Sequence, residues 1–308
     1  MTLQQLEYII AVDEYRYFVR AAEACGVTQS TLSLMIRKLE EELDITLFDR
    51  DTHPVVVTEI GRKVIDEAKM VLYHSKQMVE LTRSEKMLAS GNLRMGMIST
   101  VAPVLLPGLF KYLKENYPDI RLQAQEMRSV TILDRLRKAE IDMGFIASPV
   151  SDGEFLELPL YHERFFAYVA QGDPHASIGM FRRTELRNYP LWVMRDGIRL
   201  LESNTIPSGV NYTYEEMYEG SRVGLLIQIA NENGGITIVP ETHLRFLTDE
   251  IKEGLRPIVD PEPIRVISLV IRKDYIHERM MNIIVKAVKA SISRDLYEHA
   301  IRADYIKL

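Results

Sequence analysis

Short polar side chains cluster in residues 28–33, where their types and spacing suit contact with the edges of base pairs. An amide such as Gln29 can form two hydrogen bonds with adenine, and hydroxyl groups can reach bases or phosphates. Arginine and lysine, which follow in the same segment, hold phosphates. The segment therefore predicts a surface for double-stranded DNA. The residues predicted to contact DNA are Thr28, Gln29, Ser30, Thr31, Ser33, Arg37 and Lys38, together with Arg50, Thr52 and His53 from a following hairpin.

The hydrophobic spacing around these side chains predicts two helices joined by a tight turn. Apolar residues recur at helical spacing over residues 4–25 and again over 32–43. Gly26-Val27 interrupts the pattern, and Thr28 can cap the second helix. This is a helix-turn-helix, in which the second helix enters the major groove. The β-branched run at 52–57 predicts a short hairpin, the wing of a winged helix-turn-helix.

A long helix is predicted from Thr58 to about Ser90, because after Gly61 this stretch contains neither proline nor glycine. About 30 helical residues make a rod of roughly 45 Å, longer than a small domain needs. We therefore expect a dimerisation helix, and the alternative is an amphipathic helix packed on its own domain. The apolar positions alternate in steps of four and three, as in a coiled coil. They are Val64, Ala68, Val71 and Met78, with Ser75 as a weak, polar position in the same series.

Beyond residue 91 the pattern alternates between short apolar strands and helices. Such alternation predicts α/β units with a parallel sheet and helices on its faces. The predicted strands are 93–98, 120–126, 141–147, 191–194, 236–239 and 264–271, and the predicted helices are 101–116, 129–138, 221–233 and 275–297.

Polar groups at the ends of predicted strands suggest a site for a small ligand. Ser99 and Thr100 follow one strand and can cap the next helix, and Ser129 follows another. Hydroxyls, backbone N–H groups and the guanidinium of Arg199 suit an anion such as a carboxylate. Alternatively, the hydroxyls only cap helices and Arg199 is a surface cation. The predicted effector-binding residues are Ser99, Thr100, Ser129, Val130, Ile146, Arg199 and Thr237.

The charge of the chain argues against a nucleic-acid binder. The net charge of the 308 residues is -6, and residues 1–62 hold six basic and eleven acidic side chains, a net of -5. Residues 24–38, however, carry only Arg37 and Lys38 among charged types. We therefore expect weak non-specific binding, with specificity from a dimer on two half-sites. A helical protein-interaction domain, or a solute-binding module with a degenerate DNA-binding head, is the alternative.

Several classes of site find no support in the sequence. The seven histidines have no metal-ligand spacing, and no nucleophile is placed beside a base. One cysteine, Cys25, excludes an internal disulfide and suits a reducing cytoplasm. The first ten residues lack the basic region and the small-residue cleavage site that indicate a signal peptide, and the sequence contains no apolar run of about 18 residues. We expect a cytoplasmic protein that is not an enzyme and has no cofactor, metal or membrane segment.

These residues together resemble the LysR-type transcriptional regulators. The resemblance implies a winged helix-turn-helix at 1–58, a linker helix at 59–90 and a periplasmic-binding-protein-like effector domain at 91–308. That domain would have two α/β lobes, about 91–162 with 268–308 and about 163–267, and a ligand between them. It also implies homodimers or homotetramers and RNA polymerase as a partner. The matching residues are Phe18, Ala21-Ala22, Val27 to Ser30, Leu32-Ser33, Ile36, Leu39-Glu40, Leu43, Leu47-Phe48, Arg50, Thr58 and Gly61.

Two departures from the family pattern bear on function. Ser30 stands where the family usually has proline, and serine is also compatible with a first helical turn. Within the family the chain most resembles the peroxide-sensing OxyR branch, whose two redox cysteines would fall at Arg199 and near Ser208. A disulfide switch needs two thiols, and we expect Cys25 to be buried in the DNA-binding domain. The hypothesis is thus a ligand-responsive regulator without the disulfide switch, and a peroxide response by a non-thiol route is the alternative.

Overall fold

The computed structural model of the protein describes residues 1–84, 90–150, 153–192, 222–275, 277–293 and 296. The chain divides into two compact units. The first is Met1–Ala89 with Leu133–Asp142, and the second is Ser90–Ile132 with Met143–Leu308. No helix in the described ranges combines the length and the apolar character that crossing a membrane requires.

The first unit begins with three helices and a two-stranded hairpin. Thr2 caps the first helix, and Gln5 completes a reciprocal capping box. Phe48 and Asp49 pair with Val57 and Val56 in the antiparallel wing. The hairpin predicted at 52–57 contains only the second of these strands, and the first strand lies upstream of it. The elements are α1 Leu3–Tyr15, α2 Phe18–Ala24, α3 Gln29–Leu43, β1 Phe48–Asp49, β2 Val56–Val57 and α4 Glu59–Ser84.

The single helical run predicted over residues 4–25 is wrong, since the structure breaks it into α1 and α2. Arg16 adopts a left-handed φ of 58° and Tyr17 is extended. Neither residue type is a helix breaker, so periodicity alone continues across the break. The helix-turn-helix therefore consists of α2 and α3, and its turn contains Gly26 with a φ of 67°. Glycine adopts this conformation without the steric penalty that a Cβ adds.

The fourth helix starts where the sequence predicted, because Thr58 accepts a hydrogen bond from the backbone N–H of Gly61 at 2.9 Å. Its first turns pack into the core of the first unit. Ala68, predicted as a dimer contact, is 3% exposed there, whereas Met78 is 68% exposed. Only the later apolar positions of the predicted stripe are therefore open to a partner.

The second unit is an α/β structure whose sheet is mixed rather than parallel. In the described residues, strands β3 to β11 form one sheet in the order β4-β3-β5-β11-β6-β10-β7, and β9 joins β6 to β8. The elements are β3 Gly91–Met97, α5 Ala102–Asn116, β4 Ile120–Glu126, α6 Ser129–Arg137, β5 Met143–Ala147, β6 Phe155–Val169, β7 Phe181–Arg182, β8 Leu191–Trp192, α7 Val223–Asn233, β9 Ile236–Pro240, α8 Asp249–Glu253, β10 Leu255–Val259, β11 Ile264–Arg272 and α9 Glu278–Ser291, with 3-10 helices at Arg183–Asn188 and Glu241–Phe246.

The long strand β6 has no counterpart among the predicted elements. Its first part pairs antiparallel with β11, and its last residues pair antiparallel with β9 and β10. Consequently β6 runs from the β4-β3-β5-β11 part of the sheet into the β8-β9 and β10-β7 part. Parallel pairing holds for β3 with β4 and β5, as predicted, whereas β11 runs antiparallel to both of its neighbours.

In the second unit, the predictions for the start of α5 and for the bounds of α9 differ from the structure. Val101, which makes no side-chain cap, lies at the start of α5, so the predicted capping by Ser99 and Thr100 is wrong. The described part of the last helix, α9, runs from Glu278 to Ser291, shorter than the predicted 275–297. Gly234 ends α7 as predicted, with a φ of 74°.

Candidate nucleic-acid interface and ligand site

The N-terminus of α3 is held by its own hydroxyl groups. The Thr28 Oγ1 accepts the backbone N–H of Thr31 at 3.2 Å, and it lies 2.8 Å from the Thr31 hydroxyl and 3.0 Å from that of Ser30. This cap fixes the first turn, where the amide of Gln29 is exposed. Of the predicted DNA contacts, Thr28 and Thr31 are therefore already engaged in shaping the end of the helix.

The exposed face of α3 carries the predicted polar and basic groups. Leu32, Ile36 and Leu39 are buried on the opposite face. Gln29, Ser30, Arg37 and Lys38 are all exposed. Within the described ranges, neither Arg37 nor Lys38 pairs with a carboxylate. Both cations are thus available for phosphate oxygens.

Arg50 supports the helix from behind instead of projecting into solvent. Its guanidinium donates to Glu40 at 2.6 Å and to the Ser33 hydroxyl at 3.3 Å, and it lies 5.2 Å from the ring centre of Phe18. Glu40 also accepts the backbone N–H of Leu47 at 2.8 Å. Arg50 and Ser33 are therefore occupied in joining α2, α3 and the wing.

The wing residues differ in how open they are. The Thr52 hydroxyl donates to the carbonyl of Asp49 at 3.3 Å and is half-buried. His53 is exposed at the tip. Of the three predicted hairpin contacts, Arg50 and Thr52 are engaged within the first unit, and only His53 is accessible.

Internal ion pairs compensate part of the negative charge of the first unit. Asp13, with a side chain only 10% exposed, receives two hydrogen bonds from Arg62 at 2.8 Å and a salt bridge from Arg16 at 3.1 Å. Glu42 receives the N-terminal amine at 2.7 Å. These carboxylates are compensated locally and contribute less to the repulsion of DNA than a sum over the sequence implies.

A buried polar network lies in the second unit around Thr100. Arg265 of β11 donates from Nε to Glu163 of β6 at 2.6 Å and from Nη2 to the Thr100 hydroxyl at 2.9 Å. The Glu163 side chain is fully buried, and that of Arg265 is 10% exposed. The strands β6 and β11 therefore bring a matched charge pair to Thr100, which lies three residues beyond the end of β3.

The 3-10 helix Glu241–Phe246 closes the other side of this network. The Thr242 hydroxyl donates to Glu163 at 2.5 Å, and Nε2 of His243 donates to the Thr100 carbonyl at 2.8 Å. Burial lowers the pKa of His243 below its usual value, outweighing the hydrogen bond to Thr100 and the charge of Glu163. The His243 imidazole is therefore neutral at pH 7. Arg245 of the same 3-10 helix donates to the backbone carbonyl of Val104 in α5.

One hydroxyl in this region has no partner. The Tyr161 Oη is buried and bonds to no described group. Burial raises the pKa of Tyr161 well above its usual value, and the charge of Glu163 adds to that shift, while Arg265 and Arg245 oppose it. Tyr161 is thus a protonated donor beside the network. A buried unsatisfied donor is costly and often marks a place for a water molecule or a ligand.

The predicted effector residues occupy different environments. Thr100 joins the network, and Ser129 is half-buried at the start of α6. Ile146 is buried in the core, whereas Val130 is 63% exposed. Thr237 is fully buried and donates to the Trp192 carbonyl at 2.8 Å. Ser99 is half-buried, and Arg199 and Ser208 lie outside the described residues.

The sequence reasoning missed Glu163, Thr242, His243 and Arg265. One signal was available, because Arg265 lies between apolar residues and Glu163 lies in a short polar stretch between two apolar runs. A charge inside a buried strand needs a partner. The identity of that partner depends on strand pairing about 100 residues apart, which periodicity cannot supply.

Cys25 differs from the expectation of a buried residue, since it is partly exposed at the end of α2. Burial, with a smaller effect of Glu7, raises the pKa of its thiol, which disfavours the reactive thiolate. Among the described residues, no group of three or more His, Cys, Asp and Glu side chains could hold a metal ion.

Two family models match the chain. Residues 3–62 match the bacterial regulatory helix-turn-helix protein of the LysR family, and residues 87–291 match the LysR substrate binding domain. The matched segments correspond to the helix-turn-helix with its wing and to the mixed α/β unit. The family predicted from the sequence is therefore confirmed.

Curated relatives agree over most of the length. The chain is 31% identical over 276 residues to a hydrogen peroxide-inducible genes activator of Haemophilus influenzae, covering 88% of this chain and 91% of that protein. It is 29% identical over 280 residues to the DNA-binding transcriptional dual regulator OxyR of Escherichia coli, covering 88% and 90%. These relatives are regulators, which confirms that the chain is not an enzyme.

Solved structures show the same fold. A full-length OxyR variant from Pseudomonas aeruginosa superposes with a TM-score of 0.75 at 24% identity, covering 95% of this chain and 99% of that one. OxyR from Porphyromonas gingivalis gives a TM-score of 0.61 at 26% identity, covering 68% and 96%. On this shared fold, the two matched models and the curated relatives place the chain in the LysR family, as an OxyR-like DNA-binding transcription regulator.

Proposed function

We propose that this regulator recognises its operator with the exposed face of α3. Gln29 and Ser30 contact base edges, and Arg37 and Lys38 contact phosphates. Arg50, Ser33 and Thr28 act indirectly by holding α3 and the wing in place. The observation that carries this assignment is the pair of exposed, unpaired cations on a helix whose N-terminus is capped and polar.

The proposal includes a dimer formed through α4, with tetramers as the further assembly. Val71, Met78 and Val79 are 42%, 68% and 53% exposed, although they are large and apolar. Apolar side chains on one helix favour pairing with a second helix of the same kind. A two-fold dimer would present two copies of α3 to a pseudo-palindromic operator.

We further propose that a small anion acts as effector near Thr100, Ser129 and Arg265. The described charges of the network are one carboxylate, Glu163, and two guanidinium groups, Arg265 and Arg245, which favours a negative ligand. Tyr161 supplies an unused donor. Ligand binding would shift the balance between two arrangements of the regulator and so change how the DNA-binding heads are spaced. RNA polymerase would respond to that change in the cytoplasm.

The regulator in this proposal does not use a disulfide switch. A single cysteine cannot form an intramolecular disulfide, and the raised pKa of Cys25 disfavours attack on peroxide. Peroxide added to the wild-type protein and to Cys25→Ser should leave DNA binding unchanged in both. Reversible loss or gain of binding in both proteins would instead support the non-thiol peroxide route.

A mobility-shift assay tests the DNA part. Random-sequence duplexes would first be enriched on the full-length protein to obtain an operator. Arg37→Ala should weaken operator binding at least tenfold, since it removes a charge-assisted contact from each half-site. Arg182→Ala, which removes an exposed cation of the second unit, is the matched control. Failure to enrich any sequence at low salt would refute the proposal and favour the solute-binding module.

Thermal denaturation with a panel of small carboxylates tests the effector part. A ligand present at 100 times its Kd should add about 2.7 kcal/mol to stability. Thr100→Val should remove the response without unfolding the protein, and Thr184→Val, at an exposed threonine, is the control. If organic anions never stabilise the wild-type protein, the anionic effector is wrong while the DNA assignment stands.

A further inference from the structure

The exposed face of α3 contains an apolar side chain that the assignment of DNA contacts does not use. Leu34 is 54% exposed, although Leu32 on the same helix is fully buried. At 3.6 residues per turn, Leu34 lies about 40° around the helix from Ser30 and about 60° from Arg37. Residues at these spacings are surface neighbours. Leu34 is therefore at the centre of the proposed DNA-binding face.

The hydroxyls nearby cannot account for all of the selectivity of this face. Thr28 is bonded to both Ser30 and Thr31, and Ser33 accepts a hydrogen bond from Arg50. Beside the two cations, Gln29, Leu34 and the remaining hydrogen-bonding capacity of Ser30 are left to meet the bases. An aliphatic side chain cannot donate or accept, so its one specific partner in the major groove is the C5-methyl group of thymine.

We infer that Leu34 is a specificity-determining residue that contacts a thymine methyl group in each half-site. The inference rests on the proposed function, because it requires α3 to enter the major groove. Contact with the methyl removes apolar surface of both groups from water, and it selects thymine over cytosine without any hydrogen bond. Burial of one methyl is worth about fourfold in affinity, so two half-sites give about fifteenfold.

Uracil substitution isolates the methyl group. Operator duplexes would carry deoxyuridine in place of thymidine at one symmetric pair of positions at a time, and Kd would be measured by fluorescence anisotropy on the full-length protein. For the wild type, one pair of positions should weaken binding about fifteenfold. For Leu34→Ala the same uracil duplex and the thymine duplex should bind equally, so the two losses are not additive.

Two further variants guard the interpretation. Leu34→Met keeps an apolar side chain of similar reach and should retain most of the thymine preference. Leu3→Ala, at a leucine of α1 that is 47% exposed, should keep the full uracil penalty. Circular dichroism would verify that each variant is folded.

The possible results separate this inference from the proposed function. Failure of the wild type to bind any enriched duplex would overturn both. Binding with no uracil penalty at any thymine would overturn the role of Leu34 alone. A penalty that persists in Leu34→Ala would assign the methyl contact to another residue and overturn the inference. Normal DNA binding by Leu34→Ala, with the thymine preference intact, would do the same.

Discussion

Replacing Glu163 by alanine should destabilise the second unit more than any change to an exposed ion pair. Glu163 is fully buried, and it accepts hydrogen bonds from Arg265 at 2.6 Å and from Thr242 at 2.5 Å. The variant would leave the Arg265 guanidinium, only 10% exposed, without a counter-charge. Desolvation of an unpaired ion is the dominant cost of breaking such a pair.

The expected loss of stability depends on which contacts Arg265 retains in the Glu163→Ala variant. Removing one partner of a buried pair costs about 3–5 kcal/mol. Arg265 still donates to Thr100 and lies 5.1 Å from the ring centre of Phe165, which places the expected cost at the lower end, about 3 kcal/mol. For a unit of this size that corresponds to a fall in Tm of about 6–12 °C.

Urea unfolding followed by tryptophan fluorescence measures this change selectively. Trp192 is the only tryptophan of the chain and belongs to the second unit, where its indole N–H donates to the Gly234 carbonyl at 2.8 Å. Its emission therefore reports the unfolding of that unit within the full-length protein. Glu262→Ala is the matched control, since Glu262 is half exposed and pairs with Arg164 on the surface. Its cost should be about 0–1 kcal/mol.

A double variant decides whether the charge or merely the packing is responsible. Glu163→Leu combined with Arg265→Leu removes both ions, and it should recover much of the stability lost in Glu163→Ala. The reasoning is refuted if Glu163→Ala costs no more than Glu262→Ala. It is also refuted if the double variant loses more unfolding free energy than the two single variants, Glu163→Leu and Arg265→Leu, lose together.

Three further predictions follow from local geometry. Gly61→Ala should destabilise the first unit by about 1–3 kcal/mol in thermal melts, because the added Cβ would lie 2.3 Å from the Leu47 carbonyl oxygen; Gly179→Ala, in open space, should be neutral. In the wild type, burial lowers the pKa of His243 in the folded state, so the unfolded state takes up the proton first as the pH falls below about 6.5. The wild type therefore loses stability between pH 7 and 5. His243→Gln removes this titrating group, so the variant should lose less stability over the same pH range. An unchanged pH profile would contradict this. For a dimer that uses Arg37 and Lys38 of each subunit, a plot of the logarithm of the operator-binding constant against the logarithm of the salt concentration should have a slope of about -4. A slope near -8 would mean that about half of the phosphate contacts are made by other residues.

Local signals predicted the elements that carry the DNA-binding surface. Glycine at position 26, the capping threonine at 28 and the apolar spacing over 32–43 place α3 where the structure has it. The strand predicted at 120–126 coincides with β4. In each case a turn residue or a cap lies directly beside a strong hydrophobic period, so no distant contact is needed to fix the element.

The rest depended on contacts that are distant in sequence. No breaker marks the end of α1, where Arg16 turns left-handed. Strand β6 is 15 residues long because it pairs with β11 and then with β9 and β10. The same pairing sets Glu163 opposite Arg265, which occupy adjacent strands in register. The sequence contains both charged residues, but it does not show that Glu163 and Arg265 are paired.

The acidic composition of the first unit is compatible with DNA binding when the position of each charge is considered and not only the net charge. Asp13 and Glu40 are held by arginines inside the unit, so their effect on approaching DNA is small. The exposed face of α3 keeps two cations per head, too few for strong attraction by one head alone. Linking two heads raises the effective concentration of the second to the millimolar range, which can add a factor of about 10² to 10⁴ in affinity without a new contact. That factor vanishes when geometry forbids both heads from engaging. A weakly basic surface therefore makes operator binding sensitive to the spacing of the two DNA-binding units, and under the proposed function a ligand in the second unit would change that spacing.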